Sequence, residues 1–321
     1  MTEAGTVLTI VLVSYNTKAL IDPCFAALDK ARARIGASDV VVIDNASRDG
    51  SAEYVEQNYP AVRLIRSATN VGFGRANNLA LPFVDSPFVL LLNTDAFVDE
   101  DSLEKALAYM QADRRCGIVG VRLVGRDGEV QPSCRYFPTP INVFLGRTGL
   151  TRRFPGVRMV DGPDWAPPEV RACDWVPGCF YLIRKEVIEH VGLFDPRFFL
   201  YYEEVDHCLA TKRAGWSVVY LPTTTVVHIG GESAKSDSQL TQTGKQVDRI
   251  SMESAQLYFR KNFGLGALVA HLTLELFADF YLMLKALVQK RDWIAARQLR
   301  TRMSTTIRLG VATRMGRNGT R

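Results

Sequence analysis

Four short runs of β-branched and aliphatic residues punctuate the first hundred positions: VLTIVLV (7–13), VVVID (40–44), VRLIRS (62–67) and FVLLLN (88–93). Runs this short, apolar on both faces and closed by turn residues, belong to buried strands. Helical patterns separate them. Residues 18–34 place Leu20, Ala27, Leu28 and Ala31 on one face, 51–59 begin at Ser51 as an N-cap, 70–81 are a Gly-bearing loop running into a helix, and 99–111 carry acids in the first turn with Asp99 and Ser102 as caps. Strands alternating with helices predict parallel β-α-β units, hence an α/β fold with a doubly wound, mainly parallel (mixed) sheet flanked by helices. Further strands are expected at 117–124, 179–184, 217–222 and 224–229, with an irregular stretch at 125–175 and a Ser/Thr/Lys-rich loop at 232–245.

The composition of the 321 residues, 47% hydrophobic and 23% charged, is that of a folded chain rather than a disordered one. The net charge of +5 is uneven. Nine Lys or Arg lie within 290–321 against the single acid Asp292, giving +8 there and −3 for the rest. A basic tail of this kind meets phosphates, and without interleaved aromatics the partner is an anionic membrane surface rather than nucleic acid. The six cysteines form no CxxC pair, which excludes zinc-finger spacing. The N-terminal MTEAGTVLTIVLVSYN has no basic n-region, so it reads as a strand rather than a signal peptide, and a cytoplasmic, reducing setting is expected.

Residues 266–288 are apolar except for His271, Glu275 and Asp279, which recur at i, i+4 and i+8 and make one narrow polar stripe on a helix. Such a stripe disfavours a membrane span. It predicts a helix lying in a membrane interface, packed against a second copy of the chain, or capping the chain's own core. The chain therefore divides at about 235. Residues 1–125 form a nucleotide-binding half, 126–235 an acceptor half, and 236–321 a basic helical extension.

The chemistry-bearing residues collect at strand ends, where open α/β sheets bind ligands. Asp44 and Asn45 close the second strand; a carboxylate there can accept a nucleobase imide N–H, although an Asp-Asn pair also simply turns the chain. Asn93, Thr94 and Asp95 close the fourth, where a carboxylate suits Mg2+ or Mn2+ that keeps diphosphate oxygens among its ligands. His228 ends a later strand, and imidazole suits Mn2+. Glu203, Glu204 and Asp206 cluster within four residues; mutually raised pKa values make such a group a source of a general base, and a solvated acidic helix start is the rival reading. Trp175, Pro177 and Gly178 lie on a turn where backbone can approach a sugar. Trp165 and Trp175 are candidates to stack on sugar rings, and Arg75 and Arg135 to pair with phosphate. The segment GFGRANN (72–78) lacks GxGxxG, which argues against a nicotinamide site.

Taken in order, VSYN (13–16), VVIDNASRDGS (41–51), NVGFGRANN (70–78), LLLNTD (90–95), QPSCRYFP (131–138), VPGCFYLIRKEVIEHVGLFDPRFFLYYEEVD (176–206), AGWSVVYLP (214–222) and VVHIGGES (226–233) resemble the inverting glycosyltransferases of family 2, in particular the bacterial rhamnosyltransferase branch. The resemblance implies a GT-A fold. It makes Asp44 the base-reading acid, with Ser14, Tyr15, Asn16, Asn45, Asn70, Gly72, Arg75, Asn93 and Thr94 around the nucleotide-sugar. Asp95 and His228 become the ligands of Mg2+ or Mn2+, and Arg135, Trp175, Pro177, Gly178 and Glu203 the acceptor side. The family's usual base is Asp at the position where this chain has Glu204, so Asp206 is a second candidate. Where relatives read NPD, this chain has Asn93-Thr94-Asp95.

The expected activity is metal-dependent transfer of a sugar, L-rhamnose from dTDP-rhamnose in the first instance, from a nucleoside diphosphate-sugar to a glycan or polyprenyl-diphosphate-linked acceptor in cell-surface polysaccharide synthesis. It is expected at the inner face of the cytoplasmic membrane. Two rivals are a sugar-phosphate nucleotidyltransferase, which wants a Gly-rich basic loop where SYNTK stands, and a non-catalytic membrane-docking module.

Overall fold

A computed structural model describes residues 6–161, 166–230 and 244–321, and divides into two compact units. Trp165 and most of the loop expected at 232–245 lie outside the described residues.

The first unit spans Met1–Arg135, Pro163–Pro196 and Glu203–Gly244. Its strands are β1 (Leu8–Ser14), β2 (Ser38–Asp44), β3 (Arg63–Arg66), β4 (Phe88–Asn93), β5 (Ala96–Val98), β6 (Cys116–Val124), β7 (Val130–Gln131), β8 (Arg171–Ala172), β9 (Phe180–Arg184) and β10 (Ser217–His228). They form one sheet in the order β3-β2-β1-β4-β9-β6-β10-β5, with β7 on β6 and β8 on β10. The β3-β2-β1-β4 half is parallel throughout, whereas β9 runs antiparallel to both β4 and β6. The expected mixed, doubly wound sheet is therefore present. Helices α1 (Lys18–Arg32), α2 (Ser51–Asn58), α3 (Phe73–Asn78), α4 (Ser102–Ala112), α6 (Lys185–Val191) and α7 (Glu203–Arg213) belong to this unit. The core gathers Ile10, Leu12, Leu90 and Leu92 of the central strands with Ile21, Phe25 and Leu28 of α1 and Leu103 and Met110 of α4. Every large side chain among them is almost wholly removed from water, each contributing about 1.5–3 kcal/mol of transfer free energy.

Three local expectations change. Ser217–His228 make one long strand rather than two, carrying a register shift between Leu221 and Thr225 that lets it bend while staying paired with β6. The segment after β4 contains β5, three residues long, which pairs with the end of β10. The N-cap of α4 is Asp101, whose Oδ1 accepts from Thr224 Oγ1 at 2.6 Å instead of from the helix.

The second unit comprises Tyr136–Gly162, Arg197–Tyr202 and Lys245–Arg321. Within the stretch expected to be irregular, α5 (Pro140–Thr148) forms because Thr139 and Asn142 make a reciprocal capping box, Pro140 stands at the first helical position, and Gly149 closes the helix at φ 72°. Helix α8 (Gly244–Lys285) is broken at Gly264, whose φ of 82° only glycine adopts freely. Helix α9 (Trp293–Ala312) is capped by Asp292, whose Oδ1 accepts from Ala295 N at 2.9 Å. The stripe His271, Glu275 and Asp279 faces inward and is buried. Arg147 of α5 donates to Glu275 at 2.6 Å and also to Asp279, and Arg302 of α9 lies 2.9 Å from Glu275 and 3.4 Å from Asp279. Tyr258, Phe259 and Leu268 of α8 and Leu309 of α9 are buried as well, whereas Phe277, Phe280 and Leu284 of α8, Val288 after it, and Trp293, Ile294 and Val311 of α9 are exposed.

Candidate active site

The register of the parallel half brings the carboxyl ends of β1, β2 and β4 level, since Ser14 pairs with Asp44 and Val13 with Asn93. Two loops leave this edge and are stitched together. Asn16, at φ 53°, accepts from Arg48 N at 2.7 Å and donates its own N–H to Ser47 Oγ at 3.0 Å. Asn45 donates to Asn70 Oδ1 at 3.0 Å and accepts from Val71 N at 2.9 Å, while Asn70 Oδ1 also accepts from Gly72 N at 3.0 Å. Asn45 and Asn70 therefore hold the loop preceding α3 against the end of β2, with Gly72 at φ 87° making the turn.

Ser14 Oγ, Thr17 Oγ1 and Thr94 Oγ1 form a buried hydroxyl chain with steps of 3.0 Å. Tyr15 and Asn93 are half-buried beside it. Arg75, on α3, donates its Nε to Pro196 O at 2.6 Å.

Asp44 is buried, and its two oxygens differ. Oδ2 accepts from Ser47 N at 3.1 Å, whereas Oδ1 has no donor among the described residues. A buried carboxylate oxygen left open is energetically unfavourable unless a ligand supplies a donor.

Asp95 leads into β5, and Ile229 N donates to its carbonyl at 3.0 Å, so the β5–β10 pairing sets Asp95 opposite the end of β10. There His228 Nε2 stands 3.7 Å from Asp95 Oδ1, too far for a hydrogen bond. His228 is 20% exposed and burial lowers its pKa, opposed by the Asp95 charge, so the ring is neutral at pH 7. Gln131, on β7, bonds His228 twice: its Nε2 donates to His228 O at 2.8 Å, and its Oε1 meets His228 Nδ1 at 3.0 Å. A carboxylate and a neutral imidazole, side by side without a donor between them, fit one divalent cation. Among the described residues no group of three or more His, Cys, Asp or Glu converges.

Glu204 sits in the first turn of α7. Burial raises its pKa, partly offset by backbone N–H donors of the helix N-terminus and by the Arg135 charge. Its Oε2 has no donor among the described residues. A Cβ placed on Gly178 would meet Glu204 Cβ at 3.9 Å and the Phe73 ring at 3.4 Å, so Gly178 and Pro177 run beside this carboxylate. Burial, and after it the Asp95 and Glu204 charges, raise the thiol pKa of the next residue, Cys179, so both acids lie near it. Asp206, two residues on and about 200° around the helix, projects to the opposite side of α7 and is buried, as is Glu203. Trp175 is buried with the Arg135 guanidinium 4.2 Å above its ring, and the two backbones are bonded at 3.2 Å; Trp175 is thus the platform on which Arg135 is held. Thr17, Phe73 and Gln131 were not among the residues expected at the site; Phe73 and Gln131 stand in the sequence only within the runs NVGFGRANN and QPSCRYFP.

The chain is similar to known proteins over much of its length. Residues 9–165 match the family described as Glycosyl transferase family 2. The N-acetylglucosaminyl-diphospho-decaprenol L-rhamnosyltransferase of Mycobacterium tuberculosis is 30% identical over 256 residues, covering 72% of this chain and 78% of its own length. The rhamnosyltransferase WbbL of Escherichia coli K12 is 27% identical over 175 residues, 51% of this chain and 63% of that protein. Among solved structures, the mannosyltransferase PcManGT from Pyrobaculum calidifontis, in complex with GDP-Man and Mn2+, superposes with a TM-score of 0.55 at 18% identity, covering 96% of this chain and 86% of the other. Residues 1–349 of Staphylococcus aureus TarS give 0.51 at 14% identity, covering 97% and 92%. The fold is GT-A-like, and the chain belongs to glycosyl transferase family 2.

Proposed function

We propose that this glycosyltransferase is a cation-dependent inverting enzyme that moves L-rhamnose from dTDP-rhamnose to a polyprenyl-diphosphate-linked glycan. The pairing of Asp95 with His228, on the same sheet edge as the open oxygens of Asp44 and Glu204, is the observation that carries the reading. Asp44 Oδ1 accepts the imide N–H of the base while Ser47 N fixes Oδ2. Asp95 and His228 hold Mg2+ or Mn2+, which when bound neutralises charge on the departing diphosphate. Glu204 takes the proton of the acceptor hydroxyl as that oxygen attacks the anomeric carbon from the face opposite the diphosphate. One displacement inverts the configuration. Glu204 is preferred to Asp206 because the two project to opposite sides of α7, and Glu204 is the one beside Gly178. Burial supports the role: a carboxyl whose pKa is raised is a stronger base once ionised. The rhamnose donor and the lipid-linked acceptor rest on the relatives named above.

In this reading residues 1–235 are the catalytic domain and 236–321 an extension that docks on an anionic membrane surface from the cytoplasmic side. Its support is the set of exposed apolar side chains between Val288 and Val311. Val288, Trp293, Ile294 and Val311 are 74–78% exposed, beside the exposed bases Arg291, Arg297 and Arg308. Exposed apolar surface ringed by cations suits the headgroup region of an anionic leaflet.

The deciding experiment offers dTDP-rhamnose, UDP-galactose, UDP-glucose and GDP-mannose with membrane-extracted lipid acceptors, in Mn2+ or EDTA, to the wild type and Glu204→Gln. Transfer from dTDP-rhamnose alone, abolished by EDTA and by the substitution, is expected. Equal rates in EDTA would remove the cation from the reading, and a fully active Glu204→Gln would remove the base.

A further inference from the structure

The grip of Gln131 on His228 fixes more than a position. Gln131 Nε2 lies 2.8 Å from the carbonyl oxygen of His228, and a carbonyl only accepts, so the amide nitrogen must be on that side. The other end of the amide is therefore oxygen, and it lies 3.0 Å from His228 Nδ1. An amide oxygen also only accepts, which requires the proton of the neutral ring to be on Nδ1. Nε2 is left with its lone pair, and Nε2 is the nitrogen 3.7 Å from Asp95 Oδ1. One side chain, by holding the backbone and the ring of the same residue, decides which ring nitrogen faces the carboxylate.

The sheet explains how a residue 97 positions away does this. Gln131 pairs with Leu123 of β6, and Leu123 pairs with Val226 of β10, so β6 separates the two strands and sets their offset. β7 is only two residues long, and Gln131 is its last.

We propose that Gln131 is a positioning residue that holds His228 as the Nδ1–H tautomer, so that Nε2 and Asp95 Oδ1 together present a divalent-cation site. The role toward the cation rests on the reading of Asp95 and His228 given above; the tautomer stands on the hydrogen bonds alone. Partners that orient a metal-bound imidazole typically contribute 10–100-fold to metal affinity.

The test uses the full chain and the near-isosteric Gln131→Met, with His228→Ala as reference. The chain has four histidines, so the His228 ring signals can be assigned by their loss in His228→Ala. In nitrogen-15 spectra without metal, His228 of the wild type is expected as the Nδ1–H form, with Gln131→Met moving it toward the Nε2–H form. Titration with Mn2+ alone, followed by the paramagnetic resonance of the free ion, should show affinity 10–100-fold weaker in Gln131→Met and at least as weak in His228→Ala. A wild-type ring protonated on Nε2, or an Nδ1–H tautomer unchanged in Gln131→Met, overturns the inference. So does Mn2+ affinity that falls in His228→Ala but not in Gln131→Met. Mn2+ affinity unchanged in His228→Ala overturns the cation site itself, while the ring spectra still decide what Gln131 does. Unchanged circular dichroism and thermal midpoint guard against simple unfolding.

Discussion

Gly178 lies against Glu204: a Cβ on the glycine would come within 3.9 Å of the Glu204 Cβ and 3.4 Å of the Phe73 ring, both ordinary van der Waals contacts. The fold thus tolerates a methyl group here, but it would stand beside the carboxylate proposed as base. Gly178→Ala is expected to leave the thermal midpoint nearly unchanged while lowering kcat/KM for the acceptor on the order of tenfold, as misplacement of a reacting hydroxyl does. Steady-state kinetics with the acceptor varied at saturating donor would check this.

The raised pKa of Glu204 has two consequences of opposite sense. Activity should fall as pH drops through that raised value, on an acidic limb displaced above the ordinary glutamate range, and Glu204→Gln should lose about 10²–10⁴ in kcat. For stability, the folded chain keeps this proton where the unfolded chain has released it. Stability therefore falls as pH rises from the unfolded toward the folded value, and the deficit persists above it. Glu204→Gln removes the deficit, so its thermal midpoint at pH 7–8 should exceed that of the wild type. A midpoint equal to or below the wild type's would contradict the burial argument.

Arg147 bridges Glu275 and Asp279, both almost fully buried. Replacing it by methionine keeps bulk but leaves Arg302 to neutralise two carboxylates alone. Breaking a buried ion pair from one side typically destabilises by about 3–5 kcal/mol. Urea unfolding of Arg147→Met should show a loss of that order, and a loss below ~1 kcal/mol would mean that water reaches the cluster.

His271 is held neutral by burial, with the Arg147 and Arg302 charges adding to the effect, and its pKa is lowered from the usual 6.5 to about 4. The unfolded chain takes up this proton below pH 6.5 and the folded chain does not, so stability is lost as pH falls from 6.5 to 4. The full difference is on the order of 3 kcal/mol. His271→Phe retains a ring to stack on Phe259, 4.4 Å away, and should flatten this part of the stability curve relative to the wild type.

Docking on an anionic bilayer predicts co-sedimentation with phosphatidylglycerol vesicles but weak binding to phosphatidylcholine vesicles, reduced by salt. Val288→Asp together with Ile294→Asp should lower the affinity severalfold without changing the thermal midpoint of the lipid-free protein. Both positions are exposed, so the substitutions bury no charge. Equal binding to the two lipids would leave the basic residues without a part in docking.

The strand ends could be read from the sequence because the apolar runs of β1, β2 and β4 have strand length and stop at polar residues, and parallel register then levels Ser14, Asp44 and Asn93. β5 could not, since Ala96–Val98 is too short to carry a period and exists only because β10 offers a pairing edge. The helix over 266–288 was legible from its stripe, yet its direction was not. A polar stripe reads equally as a solvent face until Arg147, 128 positions away, is seen to meet it. Trp175 shows the same limit, because an aromatic at a sugar-site turn and an aromatic beneath an arginine have one sequence pattern. The Gln131 contact joins two strands through a third, and no local pattern encodes that offset.

The pairing of Ala96 with His228, extended by the bond from Ile229 N to Asp95 O, means that the separation of the two candidate cation donors is set by main-chain hydrogen bonds. That part of the site is assembled when the chain folds, not when the donor sugar arrives. The conformational entropy of bringing residues 95 and 228 together is a term in folding and is absent from binding. Affinity for the donor can then be tuned at the loops around Asn16, Ser47 and Asn70 without disturbing the spacing of the donor atoms.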